Sequence, residues 1–149
     1  MTQAEKRETV AKIAGILEAR YPDAVCSLDW GNDPWKLMIM GRLSAQCTDE
    51  RVNLVCADLF RRFPTPKDLA EGNLSEIEDC IRSCGLYHVK AQNIRDASRM
   101  LIAEFGGKMP DTMEELLKLP GVGRKVANLI LGDLYGTGGT VADTHCIRI

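Results

Sequence analysis

The feature that most constrains this chain is a short stretch rich in proline and glycine, Leu119-Pro120-Gly121-Val122-Gly123-Arg124-Lys125. Asp111 and Glu114, three residues apart ahead of an apolar run, predict a capped helix that Pro120 ends. The two glycines permit a tight backbone turn. Apolar residues at helical spacing then predict a second helix from about residue 124. Two helices joined in this way aim backbone N–H groups at a phosphate, helped by the positive end of the second helix.

A lysine and an aspartate follow this turn in a suggestive order. Lys125 is predicted in the first turn of the second helix, where the helix dipole disfavours a cation. Arg124 adds a like charge, and both effects favour the neutral amine, the form that attacks carbon. Asp143 comes later, in Val141-Ala142-Asp143-Thr144-His145. Taken alone, Lys125 would be an ordinary exposed lysine and Asp143 a helix cap, but their combination with the turn favours a catalytic pair.

Helical periodicity runs through the whole chain, and no segment alternates with period two for long enough to predict a strand. The predicted helices cover roughly residues 3–20, 34–45, a segment capped by Thr48, 66–71, 75–83, 88–104 and the turn-linked pair. The helix at 34–45 is apolar almost all round, so we expect it at the centre of the core. The predicted fold class is therefore all-α, a compact multi-helix bundle that contains a helix–hairpin–helix.

Composition bounds the size and the setting of the protein. Its 149 residues, 45% hydrophobic and 27% charged, suffice for one well-buried domain. No apolar run approaches membrane-spanning length and the N-terminus lacks a signal-peptide core, so we expect a cytoplasmic protein, nucleoid-associated if bacterial. A formal charge of −2 argues mildly against a nucleic-acid partner. That argument weakens because backbone amides that bind phosphate do not contribute to net charge.

The turn and the downstream aspartate together resemble the helix–hairpin–helix and catalytic aspartate of the endonuclease III branch of DNA glycosylases. The resemblance extends upstream through Leu43-Ser44-Ala45-Gln46-Cys47-Thr48-Asp49 and Gly85-Leu86-Tyr87, and covers roughly residues 35 to 149. It implies a bifunctional base-excision-repair glycosylase with AP lyase activity, acting on oxidised pyrimidines. The implied partner is double-stranded DNA with damaged bases or abasic sites, attacked through a lysine Schiff base.

The resemblance also assigns roles to individual residues. Lys125 is the expected nucleophile, and Asp143 is expected to stabilise positive charge on the sugar and to assist proton transfers. Gln46 and Leu86 resemble the plug and wedge that enter the base stack when a nucleotide is extruded. For Leu86, an ordinary hydrophobic cap contact after Gly85 is an equally supported alternative. The hairpin residues expected to contact DNA are Gly121, Val122, Gly123 and Arg124.

Two further sites rest on the resemblance alone. The residues expected to line a pocket for the base are Ser44, Asp49 and His145. The family hairpin often holds a monovalent cation through backbone carbonyls, and the corresponding carbonyls here are those of Leu117, Leu119 and Val122.

The resemblance stops short of the whole family pattern. Family members continue into further helices that pack on the N-terminal helix, and many end in four cysteines that bind an iron–sulfur cluster. Those helices and that cysteine spacing are absent here, so we expect no cofactor in this chain. We divide it into residues 1–25, an N-terminal helix and loop, and residues 26–149, the helical domain. The stripe of Val10, Ile13 and Leu17 is expected to stay partly uncovered, which favours self-association.

Three alternatives stay open at this point. The nearest alternative is a glycosylase of the same superfamily that acts on oxidised purines; the lysine argues against its adenine-excising branch but not against one that acts on oxidised guanine. A non-catalytic helix–hairpin–helix module that only grips the DNA backbone needs the glycines but neither Lys125 nor Asp143. An inactive truncated fragment would keep the motifs in an incomplete fold.

Overall fold

The computed structural model describes residues 1–137 and 141, and the regular structure in that part of the chain is entirely helical. The helices are α1 (Gln3–Arg20), α2 (Pro34–Leu43), α3 (Asp49–Arg62), α4 (Pro66–Glu71), α5 (Leu74–Ile81), α6 (Tyr87–Phe105), α7 (Met113–Leu116) and α8 (Arg124–Tyr135). A 3-10 turn at Arg82–Cys84 leads from α5 towards α6. The predicted all-α class is confirmed.

Short polar side chains define most of the helix starts. The side-chain oxygens of Asp33, Thr48, Thr65 and Asn73 each accept a hydrogen bond from a backbone N–H in the following turn. Helices α2 and α4 also begin with proline, whose fixed φ and missing N–H suit the first helical position. These local signals explain why the sequence-based boundaries agree closely with the structure at the helix starts.

The first helix of the hairpin differs from the prediction in register and length. Its capping residue is Thr112, paired with Glu115, rather than Asp111 paired with Glu114. Both pairs have the required spacing, so the motif by itself cannot choose between them. The helix also ends at Leu116, well before Pro120, because the following bonds tighten to the i→i−3 pattern, including Leu119 N to Leu116 O at 3.1 Å.

Helix α2 lies at the centre of the core, as predicted from a sequence that is apolar almost all round. Seven of its ten residues are buried, and it packs against α3, α6 and α8. It ends at Leu43, two residues earlier than predicted, with Ser44 as its C-cap. Gly41 permits the close approach to α8, since a Cβ there would lie 3.2 Å from Val126 Cγ1 and 3.3 Å from Leu129 Cδ2.

Helix α1 stands apart from this core. All eighteen of its residues are exposed, and the stripe of Val10, Ile13 and Leu17 keeps 65%, 52% and 51% of its surface in solvent. The expectation of an uncovered stripe is confirmed. Every residue from 1 to 25 is exposed and the first buried residue is Leu28, but the division of the chain at residue 25 stays a prediction.

The described residues contain no helix with the length and apolar character needed to cross a membrane. The two longest, α1 and α6, have 18 and 19 residues and carry charged side chains along their length.

One substitution at two positions tests this division into core and uncovered helix. Ile39 in α2 is completely buried, whereas Ile13 in α1 is 52% exposed. Ile39→Ala should lower the free energy of unfolding by about 2–5 kcal/mol, because it leaves a cavity in a packed core. Ile13→Ala should change it by less than about 0.5 kcal/mol. Urea titration followed by circular dichroism measures both, and a loss at Ile13 comparable to that at Ile39 would contradict the exposed position of α1.

Candidate functional site

The glycine turn is held against two core helices. The turn closes with a hydrogen bond from Val122 N to Leu119 O at 3.1 Å. Gly121 has a φ of +76°, and a Cβ there would lie 2.8 Å from Arg42 Cδ, Arg42 Nε and Asn93 Cβ. Arg42 Nε also donates to Asn93 Oδ1 at 2.9 Å, which joins α2 to α6 directly beneath the turn. Only glycine satisfies both the left-handed backbone and the close contact.

The N-terminus of α8 presents backbone donors to solvent. Gly123 is its N-cap and offers no side chain to the first N–H groups of the helix, which lack partners within the helix. A Cβ at Gly123 would meet no other atom within 4 Å, so a ligand can approach the backbone closely there. Arg124 follows and is exposed. This end of α8 therefore has the geometry of an anion site.

Lys125 lies in the first turn of α8 and is exposed, as predicted. The helix that carries it is anchored in the core by Val126, Ala127 and Ile130, so its backbone position is defined by packing. Within residues 1–137 and 141 no carboxylate forms an ion pair with its amine. Asp143 and His145, predicted to share the site, lie outside the described residues, so the shared cleft stays a prediction.

Two predicted pocket residues lie on either side of the segment that joins α2 to α3. Ser44 is the C-cap of α2, and its hydroxyl donates to Gly41 O at 2.8 Å. Asp49 begins α3 and accepts a hydrogen bond from the hydroxyl of Ser27. Both polar groups thus have structural partners already, and their role in a base pocket stays a prediction.

Gln46 and Leu86 share an unusual backbone conformation. Their φ angles are +54° and +47°, in the left-handed region that non-glycine residues rarely occupy. Both are exposed, and Leu86 keeps 61% of its surface in solvent. That exposure favours a side chain that projects from the protein over a buried cap contact. Their assignment as plug and wedge stays a prediction.

Candidate metal sites fall into two kinds, clusters of side chains and the carbonyls of the hairpin. Among the residues that the structure describes, no cluster of His, Cys, Asp or Glu could hold a metal ion. Burial raises the pKa of Cys56 to about 12 and that of Cys84 to about 11 in the metal-free chain. The described cysteines thus form no ligand set for an iron–sulfur cluster, and the expectation that this chain carries no cofactor stays a prediction. The monovalent-cation site at the carbonyls of Leu117, Leu119 and Val122 stays a prediction, and the Leu119 carbonyl already accepts the N–H of Val122.

Sequence reasoning missed two polar residues buried in α6, Lys90 and Ser98. Lys90 is completely buried in α6, and its Nζ donates to the carbonyls of Leu43, Ala45 and Cys84 at 3.0, 2.8 and 2.9 Å. A signal was present, because Lys90 precedes Ile94 by four residues and Ala97 by seven, and so falls on the apolar stripe of the helix.

Comparison with known proteins gives consistent results. The family model of the HhH-GPD superfamily, base excision DNA repair proteins, matches residues 39–149. Endonuclease III of Synechocystis is 47% identical over 98% of this chain, which covers 67% of that protein. Two solved structures, a non-covalent complex of endonuclease III with DNA and a trapped covalent intermediate of the two, each match with a TM-score of 0.87 and 40% identity. Each covers 99% of this chain, which spans 67% of the length of the solved one.

The two glycines of the turn make a matched test of its geometry. Gly121→Ala should cost about 2–4 kcal/mol of folding free energy, because it strains a left-handed residue and overpacks the contact with Arg42 and Asn93. Gly123→Ala meets open space at an ordinary φ of −92° and should cost only about 0.5–1 kcal/mol, through a poorer N-cap. Chemical unfolding measures both, and equal losses would refute the packed turn.

Proposed function

The chain belongs to the HhH-GPD superfamily of base excision DNA repair proteins and, within it, to the endonuclease III family of DNA glycosylases with AP lyase activity; from that premise, we propose that it removes oxidised pyrimidines from double-stranded DNA and cleaves the resulting abasic site. The family predicted from the sequence is confirmed, and so is its class of enzyme. The lesions that this chain recognises and the bonds that it breaks are the proposed part.

The observation that carries the proposal is the position of Lys125. Its amine is exposed in the first turn of α8, one residue after Arg124 and two after the open N-cap Gly123. A DNA phosphate bound by the amides of Gly121 and Gly123 places the neighbouring sugar beside this helix end, while the Val122 amide closes the turn onto Leu119 O. A nucleophile and the backbone donors that position its substrate are therefore adjacent on one rigid element.

The reaction proceeds by exchange of bonds at the anomeric carbon. The Lys125 amine forms a bond to C1′, and the bond to the damaged base breaks with its electron pair leaving on the base. The sugar ring then opens to an imine between Nζ and C1′. Loss of a proton from C2′ expels the 3′ phosphate, and water finally releases the lysine. Asp143 stabilises the positive charge that develops on the sugar.

The substrate is an extruded nucleotide, and its extrusion explains the two exposed loop residues. Removing a base from the stack costs a few kcal/mol, which side chains that fill the gap offset. Gln46 and Leu86 project from the protein on the loops that follow α2 and precede α6. We assign preference for oxidised pyrimidines to the pocket of Ser44, Asp49 and His145. Comparable single-turnover rates on thymine glycol and 8-oxoguanine duplexes would contradict that preference.

Cofactors have no part in this proposal for the chain itself. The described cysteines do not fit an iron–sulfur cluster, and stoichiometric iron in the purified chain would contradict the proposal. When bound, a monovalent cation would be held by the carbonyls of Leu117, Leu119 and Val122 and would attract the DNA phosphate. The proposed location is that of the substrate: the cytoplasm, and the nucleoid in a bacterium.

Lys125→Gln tests the nucleophile. Borohydride reduces an imine to a permanent link, so the unaltered chain should become covalently attached to a duplex with an abasic site or thymine glycol. The variant should lose this attachment while its DNA affinity stays within about threefold, because backbone amides supply the phosphate contacts. Gel electrophoresis of the reduced product and fluorescence anisotropy measure the two effects. Undiminished attachment in the variant would exclude Lys125.

Asp143→Asn provides the complementary control. It should slow base removal by about 10²–10³-fold, as loss of a preorganised electrostatic group does. Attachment to a ready-made abasic site should fall much less, because no base has to leave. A folded chain that binds abasic DNA tightly but never attaches would instead favour the non-catalytic module.

Self-association through α1 is the last element of the proposal. The stripe of Val10, Ile13 and Leu17 is apolar, contiguous and exposed, and burying it in a second copy removes that surface from water. Sedimentation velocity should show mass rising with protein concentration, and Ile13→Glu should return the chain to a monomer. The matched control Ala11→Glu adds the same charge on the same exposed helix, away from the stripe, and should leave association unchanged. A strict monomer at all concentrations would contradict the proposal.

A further inference from the structure

A single buried amine joins the ends of two loops. The ammonium group of Lys90 has three N–H donors and the structure supplies three acceptors, the carbonyls of Leu43, Ala45 and Cys84. The first two lie at the end of α2, where helix carbonyls lack partners within the helix. The third ends the 3-10 turn that precedes α6. Nζ thus holds these two segments together through three hydrogen bonds.

Each tethered segment leads directly into a strained, exposed residue. Gln46 follows Ala45, and Leu86 comes two residues after Cys84. Both have left-handed φ angles, which cost about 1–2 kcal/mol each for a residue with a side chain. Such conformations persist only where the surrounding structure determines them. In both loops the carbonyl that Lys90 holds lies within two residues of the strained position.

The charge on Lys90 is not needed for packing. Burial lowers its pKa, the thiols of Cys84 and Cys47 oppose that shift, and Arg42 adds to it. Its place in the first turn of α6 is also unfavourable for a cation. A methionine would fill the same space without burying a charge. The benefit that offsets these costs is the geometry of the three carbonyls, since only the ammonium form donates to all of them.

We propose that Lys90 is a positioning residue that sets the spacing and direction of Gln46 and Leu86, so that both side chains enter one gap in the base stack. This inference rests on the proposed function. Extrusion of a nucleotide needs the two side chains to fill the same vacated space together, and a common hydrogen-bond donor holds their loops in one fixed relation. Lys90 itself contacts no DNA, because it is completely buried.

The test compares Lys90→Met with Ser98→Ala in the full chain. Ser98 is also fully buried in α6, and it accepts from Trp35 Nε1 at 2.9 Å, far along the helix from the two loops. Lys90→Met leaves three carbonyls without their donor, and Ser98→Ala leaves the indole N–H of Trp35 without its acceptor. Both changes should therefore lower the free energy of unfolding. Two rates are measured: single-turnover removal of thymine glycol from a duplex, which needs extrusion, and borohydride attachment to an abasic site in single-stranded DNA, which does not.

The ratio of these rates identifies a positioning role. Lys90→Met should lower the ratio by about tenfold or more, because extrusion has a cost that misplaced loops no longer offset. Ser98→Ala should leave it unchanged, whatever its loss of stability. A 2-aminopurine beside a tetrahydrofuran site should brighten on binding of the unaltered chain and much less with Lys90→Met. Equal ratios in the two variants would overturn the proposal.

A second variant keeps the test decisive if Lys90→Met does not fold. Lys90→Gln keeps N–H donors on a side chain that is one bond shorter, so it reaches only some of the three carbonyls. We expect it to lower the ratio of the two rates by about threefold. A ratio equal to that of Ser98→Ala in whichever variant folds refutes the positioning role. Failure of the unaltered chain on both substrates refutes the proposed function instead, which separates the two conclusions.

Discussion

The burial of α2 is the constraint on which the rest of the structure depends. Its residues from Leu37 to Met40 are almost completely removed from water, which makes it the shared surface for α3, α6 and α8. At its start, the indole N–H of Trp35 donates a hydrogen bond to the hydroxyl of Ser98 in α6. Further along, Gly41 brings α8 close and Arg42 supports the glycine turn. Displacing α2 would therefore disturb both the packing of α8 and the support of the glycine turn.

In the proposed site, no charged side chain at the glycine turn has to be buried when DNA binds. The phosphate-directed groups that we propose are backbone amides at Gly123 and the start of α8, and such groups are compatible with a formal charge of −2 in a family of DNA repair proteins. Two other charged side chains hold structural elements together. Lys90 satisfies the end of α2, and Arg42 reaches under Gly121 to Asn93.

The uncovered α1 contrasts with this organisation. Its capping box is complete, with Thr2 and Glu5 bonded in both directions, so local interactions define the helix without any buried residue. Helices of this length gain most of their stability from packing an apolar face. The stripe on α1 therefore needs an apolar partner, and a second copy of the chain is the one that we propose.

The sequence by itself determined what local interactions control. Caps at Asp33, Thr48 and Thr65 placed the helix starts, the apolar run predicted α2 as the central helix, and the glycine turn with Lys125 identified the family. These features depend on residues within a few positions of each other.

Tertiary structure alone decided the rest, because it depends on residues far apart in the chain. The register of α7 had two locally equivalent caps, and the helix in the structure starts at Thr112 rather than Asp111. Lys90 reads locally as an ordinary surface lysine, but its partners Leu43 and Ala45 lie 47 and 45 residues away. Gly121 needs to be glycine partly because Arg42 and Asn93 lie against it. No local pattern encodes such contacts, since they exist only once the helices have packed.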